Sequence, residues 1–308
     1  MRFFVFFGGR NSYGSAGKIT KNMLHYRKPG KGGAGNRMTK QIYSRNAAYQ
    51  KFEVLKTNRH KRYKYYEFFV EGVRGINQAV ENGWQIASFL YDGKRKLSGW
   101  AETLLQAVDT EVNYELTAEL MEELSSKEDG SELLAVVKMR QDNPDAVPLS
   151  ANPLLAVFDR PSNKGNLGTI IRSCDAFGLD ALLLTGHAVD LYDPDVISSS
   201  MGSFFHMPVI RISDNGTLFD FIEKVRGLHA NLQVVGTTAH SETRLDGIDF
   251  TRPTVLMIGN ETDGLNRTLK QSCDVLAAIP MAESSSATSF NVGCAATVCF
   301  YEAVRQRI

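Results

Sequence analysis

From Pro153 onward the chain is built of short segments that are apolar on both faces, each followed by a stretch with helical periodicity. Strands buried on both faces read as continuous apolar runs, so this half is restricted to an α/β architecture whose mostly parallel sheet is covered by helices. Strands are predicted at Leu154–Phe158, Ala181–Leu184, Met207–Ile210, Gln233–Gly236, Thr254–Ile258 and Val275–Ala278, and helices at Leu167–Phe177, Leu218–Gly227 and Val292–Arg305. The last helix carries Val292, Cys294, Ala295, Ala296, Val298, Cys299, Phe300, Ala303 and Val304. It is too apolar to face solvent and is expected in the core or against a second subunit.

The first half divides differently. Residues 1–66 hold sixteen Lys/Arg and a single acidic residue, Glu53, so the other 242 residues hold 19 basic against 33 acidic. A basic segment ahead of an acidic body points to a polyanion-binding arm, although a solvated tail or an organelle-targeting peptide has the same composition. Residues 1–42 read as a basic flexible arm. Residues 43–140 alternate helix and strand and form a smaller α/β domain, 141–152 is a polar, Pro-containing linker, and 153–308 is the second domain. The longest early apolar run, Phe3 to Phe7, is too short to span a bilayer. Cys174, Cys273, Cys294 and Cys299 show neither a disulfide framework nor a metal spacing and read as buried small hydrophobes in a reducing, cytoplasmic setting. No metal site is expected.

Three segments of the second half carry polar groups at places where chemistry is expected. Asn163-Lys164-Gly165-Asn166-Leu167-Gly168-Thr169-Ile170-Ile171-Arg172 follows a strand and opens a helix. Asn166 and Arg172 lie six residues apart and converge only if Asn166 sits in the loop before that helix. Gly259-Asn260-Glu261 follows an apolar strand directly, at the carboxyl edge where open α/β sheets bind ligands. Ser289-Phe290-Asn291 opens the last helix. Taken singly, each segment is equally well an N-cap or an ordinary turn.

In combination and in this order, the segments resemble the motifs of the SpoU/TrmH family of RNA 2′-O-methyltransferases, over roughly residues 152–308. Met201-Gly202-Ser203-Phe204-Phe205-His206-Met207-Pro208 is similar to that family's connecting strand. The resemblance implies a trefoil-knotted domain, an exception to the unknotted rule, and a homodimer whose active site is completed across the interface. It implies S-adenosyl-L-methionine as cofactor, with Thr237, Gly259, Ile279, Met281 and Ser289 lining its site. Asn166 and Arg172 would hold the target ribose and its phosphate, Glu261 the loop arrangement, and Ser289 and Asn291 the third loop. Departures sit on the cofactor side: seven residues, Ala282 to Thr288, separate Met281 from Ser289, and Phe290 replaces a Leu.

The domain at 43–140 resembles the ribosomal-protein-like substrate domain of rRNA-modifying relatives, most clearly at Phe69-Val70-Glu71-Gly72-Val73-Arg74. This favours 23S (large-subunit) rRNA over tRNA as substrate and partner, with no membrane. Asn58 to Tyr66 interleaves cations with aromatics, so Arg59, Lys61, Arg62 and Lys64 are candidate RNA contacts. Alternatively, its tyrosines cover the domain's own core. A non-catalytic RNA-binding protein with the same shell is the rival from another class. A nicotinamide oxidoreductase is disfavoured because Gly30 to Gly35, which matches G-x-G-x-x-G, follows no strand.

Overall fold

The structure, a computed structural model, describes residues 38–127 and 130–308. The expectations for residues 1–37, including the glycine run and most of the basic arm, lie outside the described residues.

The first sheet is assembled from β1 (Thr39–Ile42), α1 (Ala47–Thr57), α2 (Arg59–Tyr65), β2 (Glu67–Glu71), α3 (Val73–Glu81), β3 (Ile86–Asp92), α4 (Gly99–Ala107), β4 (Asn113–Leu116), α5 (Ala118–Leu124) and β5 (Leu133–Lys138). The strand order is β1-β4-β3-β5-β2, with β5 antiparallel to both its neighbours. Strand β1 falls inside the span expected as an arm. It is an edge strand, exposed at three of its four residues, so it carries no apolar alternation to betray it. Tyr49, Phe52 and Leu55 recur along one face of α1 and fill the core under this sheet. Asn58 ends α1 and caps α2 by accepting from Lys61 N, and Tyr66, left-handed at φ 58°, terminates α2. The stretch that interleaves cations with aromatics is therefore a helix.

The second sheet follows from β6 (Leu154–Asp159), α6 (Lys164–Ala176), β7 (Ala181–Thr185), α7 (Pro194–Ser199), β8 (Val209–Arg211), α8 (Asn215–Leu228), β9 (Gln233–Thr237), β10 (Thr254–Ile258), α9 (Arg267–Ser272), β11 (Val275–Ala277) and α10 (Val292–Arg305). Its order is β11-β9-β10-β6-β7-β8, and every pairing is parallel. β6, β7 and β10 are buried along their whole length, as double coverage by helices requires. The chain steps outward from β6 through β7 to β8, then returns to β9 and lays β10 between β9 and β6. That reversal puts a topological switch point between β6 and β10, with all carboxyl ends on one edge. The connecting piece expected as strand is mostly a 3-10 turn, Ser203–Phe205, and only Val209–Arg211 pairs in the sheet.

Phe204 and Phe205 point into an aromatic cluster with Phe68, Trp84 and Tyr192; Phe68 lies 4.9 Å from Tyr192 and Trp84 5.4 Å from Phe204, ring centre to ring centre. Trp84 Nε1 donates to Phe205 O at 2.8 Å, fixing the indole in place. The residues expected as a polar linker are docked. Asp142 pairs with Arg211 at 2.5 Å, and Val147 and Leu149 pack on the second core, while Arg140, just before the linker, stacks over Trp84 at 4.1 Å. Cys174 and Cys299 are buried as expected, but Cys294 is exposed on α10 and Cys273 is half-buried. Among the described residues no helix is long and apolar enough to cross a membrane.

Candidate active site

Helix α6 begins at Lys164, capped by Asn163, whose side chain accepts from Asn166 N at 2.9 Å. Asn166 therefore stands in the first helical turn and not in the preceding loop. At about 100° per residue, it and Arg172 face directions about 120° apart. The condition for the two to converge within one chain, Asn166 in the loop before the helix, is therefore not met. The Arg172 side chain is exposed and makes no hydrogen bond or ion pair among the described residues.

Asn166 meets the other two segments instead. After β10, Asn260 and Gly264 exchange backbone hydrogen bonds at 3.1 Å and close a tight turn. Gly259 enters that turn where a Cβ would lie 2.3 Å from Leu265 N, so only glycine fits. The turn projects Glu261 across to α6. Its carboxylate accepts from Ser162 N at 3.0 Å, Ser162 Oγ at 2.7 Å, Asn163 N at 3.0 Å and Asn166 Nδ2 at 3.3 Å. Asn166 Oδ1 in turn accepts from Asn291 Nδ2 at 3.1 Å. Asn291 Oδ1 caps α10 by accepting from Gly293 N at 2.9 Å and Cys294 N at 3.3 Å. One chain of polar contacts, Glu261–Asn166–Asn291, thus ties the three segments together. Burial pushes the Glu261 carboxyl up, but the hydrogen bonds from Ser162 and Asn166 outweigh it and hold the group below its usual range. Glu261 is an ionised anchor and a weak base.

A second layer of polar contacts has little signature in the sequence. Asp159, the last residue of β6, is 1% exposed. It accepts from Thr185 Oγ1 at 3.2 Å, Arg160 Nε at 3.2 Å and Asn266 N at 2.9 Å. Asn260 Nδ2 donates to Arg160 O at 2.6 Å. These bonds lock the loops after β6 and β10 to each other. An Asp closing an otherwise apolar strand is the available signal.

The residues assigned to a cofactor lie around the carboxyl ends of three neighbouring strands. Thr237 ends β9 and donates to Met257 O at 3.0 Å; Gly259 follows β10; Ile279 and Met281, both half-buried, follow β11. The chain after β9 runs beside the chain after β11, held by Thr238 N to Ala277 O at 3.1 Å, Ala278 N to Thr243 O at 2.9 Å and Leu245 N to Ala278 O at 2.8 Å. Half-exposed apolar side chains beside a glycine-only turn and closely spaced backbone suit an adenosine held largely by main-chain groups. Ser289 is not drawn in: residues 282–291 are exposed throughout.

Among the candidate RNA contacts, Arg59 and Lys64 are exposed and Lys61 is half-buried, but Arg62 is 1% exposed. Its guanidinium binds Asp190 at 2.7 Å and Asp193 at 3.2 Å, so it is not available to a phosphate. An arginine in a mixed basic–aromatic run looks like its neighbours until its distant carboxylates are known.

Residues 153–301 match the SpoU rRNA Methylase family and residues 46–135 the SpoU L30e-like domain. A 23S rRNA (uridine(2479)-2′-O)-methyltransferase of Streptomyces viridochromogenes is 45% identical over 270 residues, 87% of this chain and 93% of that protein. The chain belongs to the SpoU rRNA methylase family. The crystal structure of the SpoU methyltransferase AviRb from Streptomyces viridochromogenes in complex with AdoMet is similar at a TM-score of 0.80 and 45% identity, covering 85% of this chain and 98% of that one. A 23S rRNA (guanosine(2553)-2′-O)-methyltransferase, RlmP, of Bacillus subtilis is 27% identical over 85% of this chain and 98% of its own length.

Proposed function

We propose that this chain methylates a ribose 2′-hydroxyl of large-subunit ribosomal RNA, using S-adenosyl-L-methionine, in the cytoplasm. The observation that carries the reading is the Glu261–Asn166–Asn291 chain, which joins three loops at the carboxyl edge of a parallel sheet beside the switch point. When bound, the cofactor supplies an electrophilic methyl on a sulfonium. Thr237, Gly259, Ile279 and Met281 would hold its adenosine, and Ser289 would close over it from the exposed third loop.

The chain's own residues supply orientation and charge. Asn166, locked on both sides by Glu261 and Asn291, presents a fixed amide toward a ribose. Holding the oxygen in line and excluding water removes much of the barrier, because nucleophile and sulfonium lose their charges together. Arg172 brings a guanidinium, which acts as an electrostatic activator and phosphate ligand, not as a base. Glu261, engaged by five donors with Asn260 Nδ2 at 3.4 Å among them, is equally unsuited to take the proton.

The same geometry supports a homodimer. The outward face of α6 carries Thr169 and Arg172, and that of α10 carries Cys294, Val298 and Tyr301, with Val298 40% and Tyr301 55% exposed. The helices are joined by Ser173 Oγ and Thr297 Oγ1 at 2.7 Å, so the two faces adjoin. A second copy covering this surface would bring its own Arg172 to the Asn166 side, which one chain does not do. Arg59, Lys61 and Lys64 remain as the phosphate contacts of the first domain.

The test is methyl transfer by the purified protein to protein-free 23S rRNA and to tRNA, read as alkali-resistant 2′-O-methyl linkages. Methylation of the rRNA supports the reading, methylation of tRNA alone corrects the substrate, and cofactor binding without transfer to either establishes the non-catalytic alternative.

A further inference from the structure

Arg62 is anchored from every side. Besides its two carboxylates, Nη1 donates to Leu55 O at 2.8 Å and Lys56 O at 2.9 Å, the closing turn of α1. Asp190 is held in turn by Tyr63 Oη at 2.9 Å and by Tyr192 N at 3.2 Å. The first sheet's helices are therefore clasped to the segment leading into α7 by a buried, forked arginine rather than by a flexible tether.

The two oxygens of Asp193 have separate partners. Oδ1 accepts from Asp195 N at 3.0 Å and caps α7. Oδ2 lies 3.2 Å from Arg62 Nη2 and 3.1 Å from Lys164 Nζ. Lys164 is the first residue of α6, two before Asn166. Helix α7 also seats directly on α6: a Cβ on Gly168 would lie 1.9 Å from Ser199 Oγ and 2.7 Å from Val196 O. One carboxylate oxygen thus joins the clasp of the L30e-like domain to the helix start that presents Asn166. Lys164 also pairs with Asp195 at 3.2 Å, but Asp195 is 72% exposed against 13% for Asp193. An exposed pair is screened and holds little, so Asp193 is the partner that fixes the lysine.

We propose that Asp193 is a positioning residue for methyl transfer: through Lys164 it sets the first turn of α6 against the seat of Arg62, so that RNA held by the L30e-like domain meets Asn166 in a fixed register. The link acts on the transfer step and leaves the cofactor end of the sheet alone, because β9, β10 and β11 take no part in it. It rests on the methyl-transfer reading above.

Asp193→Asn tests it with little change of shape. Oδ1 still caps α7, while the other oxygen becomes an amide N–H₂ facing two cations. Lys164→Met cuts only the other end of the link, on an exposed side chain, and Lys164→Arg preserves the pairing. Single-turnover transfer to rRNA is measured with S-adenosyl-L-methionine affinity and the melting curve. Expected are a loss on the order of tenfold in rate constant for Asp193→Asn and for Lys164→Met, since small displacements at a reacting centre are costly. The double variant is expected to be no slower than the slower single one, as members of one coupled unit behave. Lys164→Arg should stay within about twofold, and cofactor affinity should stay within about twofold throughout. Lys164→Met at the wild-type rate, multiplicative losses in the double variant, or losses that follow cofactor affinity overturn the proposal. If Asp193→Asn does not fold, Lys164→Met against Lys164→Arg still decides. A wild-type protein that transfers no methyl group defeats the functional reading; an active wild type with a fully active Lys164→Met defeats this link only.

Discussion

Replacing Arg62 with Met removes the charge from the clasp while keeping most of the side-chain volume. Four partners are left behind: Asp190, Asp193, Leu55 O and Lys56 O. Arg62 and Asp190 are 1% and 5% exposed, so water cannot readily replace the missing donors. Breaking a buried ion pair from one side costs roughly 3–5 kcal/mol. Both carboxylates keep a donor, Tyr63 Oη for Asp190 and Lys164 Nζ for Asp193, which places the cost near the lower end, about 3 kcal/mol. For a chain of 308 residues each kcal/mol moves the melting temperature by roughly 1.5 °C, so a fall of about 4–5 °C is expected. Circular dichroism melts of wild type, Arg62→Met and Arg62→Met/Asp190→Asn measure it, and the double variant should recover part of the loss because one stranded charge is gone. A melting temperature for Arg62→Met within about 2 °C of wild type would show that the buried clasp contributes little to stability.

Three further outcomes follow from the site. Gly259→Ala forces the turn after β10 open, since its Cβ has only 2.3 Å to Leu265 N; calorimetry should show cofactor affinity at least about tenfold weaker with the fold retained, and unchanged affinity contradicts the glycine-only turn. The Glu261 carboxyl titrates below its usual range, so the stability its bonds supply is fully present above the ordinary carboxylate value and fades as pH falls through the lowered one. The stability difference between wild type and Glu261→Gln, from urea melts, should be full near neutrality and shrink below about pH 4; a difference independent of pH counts against the anchor role. Changing Arg59, Lys61 and Lys64 together to Ala should flatten the salt dependence of RNA binding by about 0.7–0.9 in slope for each phosphate no longer neutralised, and an unaltered slope removes these residues from the RNA face.

The second sheet is the more legible part of the fold. Strands buried on both faces announce themselves as apolar runs, and the run Thr254–Ile258 is β10 from end to end. The short helices α7 and α9, six residues each, escape such a reading because a stretch so brief shows no period. The three polar segments stand out in the sequence, and the hydrogen bonds of the folded chain run between them. Their internal arrangement is not readable: whether Asn166 lies before or inside α6 depends on Asn163 taking the cap, and either Asn satisfies the same rule. Arg62 misleads for a related reason. Its partners lie 128 and 131 residues away, and nothing local separates a buried forked arginine from a solvated one.

The proposed role of Asn166, fixed by Glu261 and Asn291, is to orient the ribose that receives the methyl group. Single-turnover transfer to 23S rRNA by Asn166→Ala, with S-adenosyl-L-methionine saturating, measures that role. The expected rate constant is lower by about a hundredfold or more with the cofactor still bound; transfer at the wild-type rate removes Asn166 from that role.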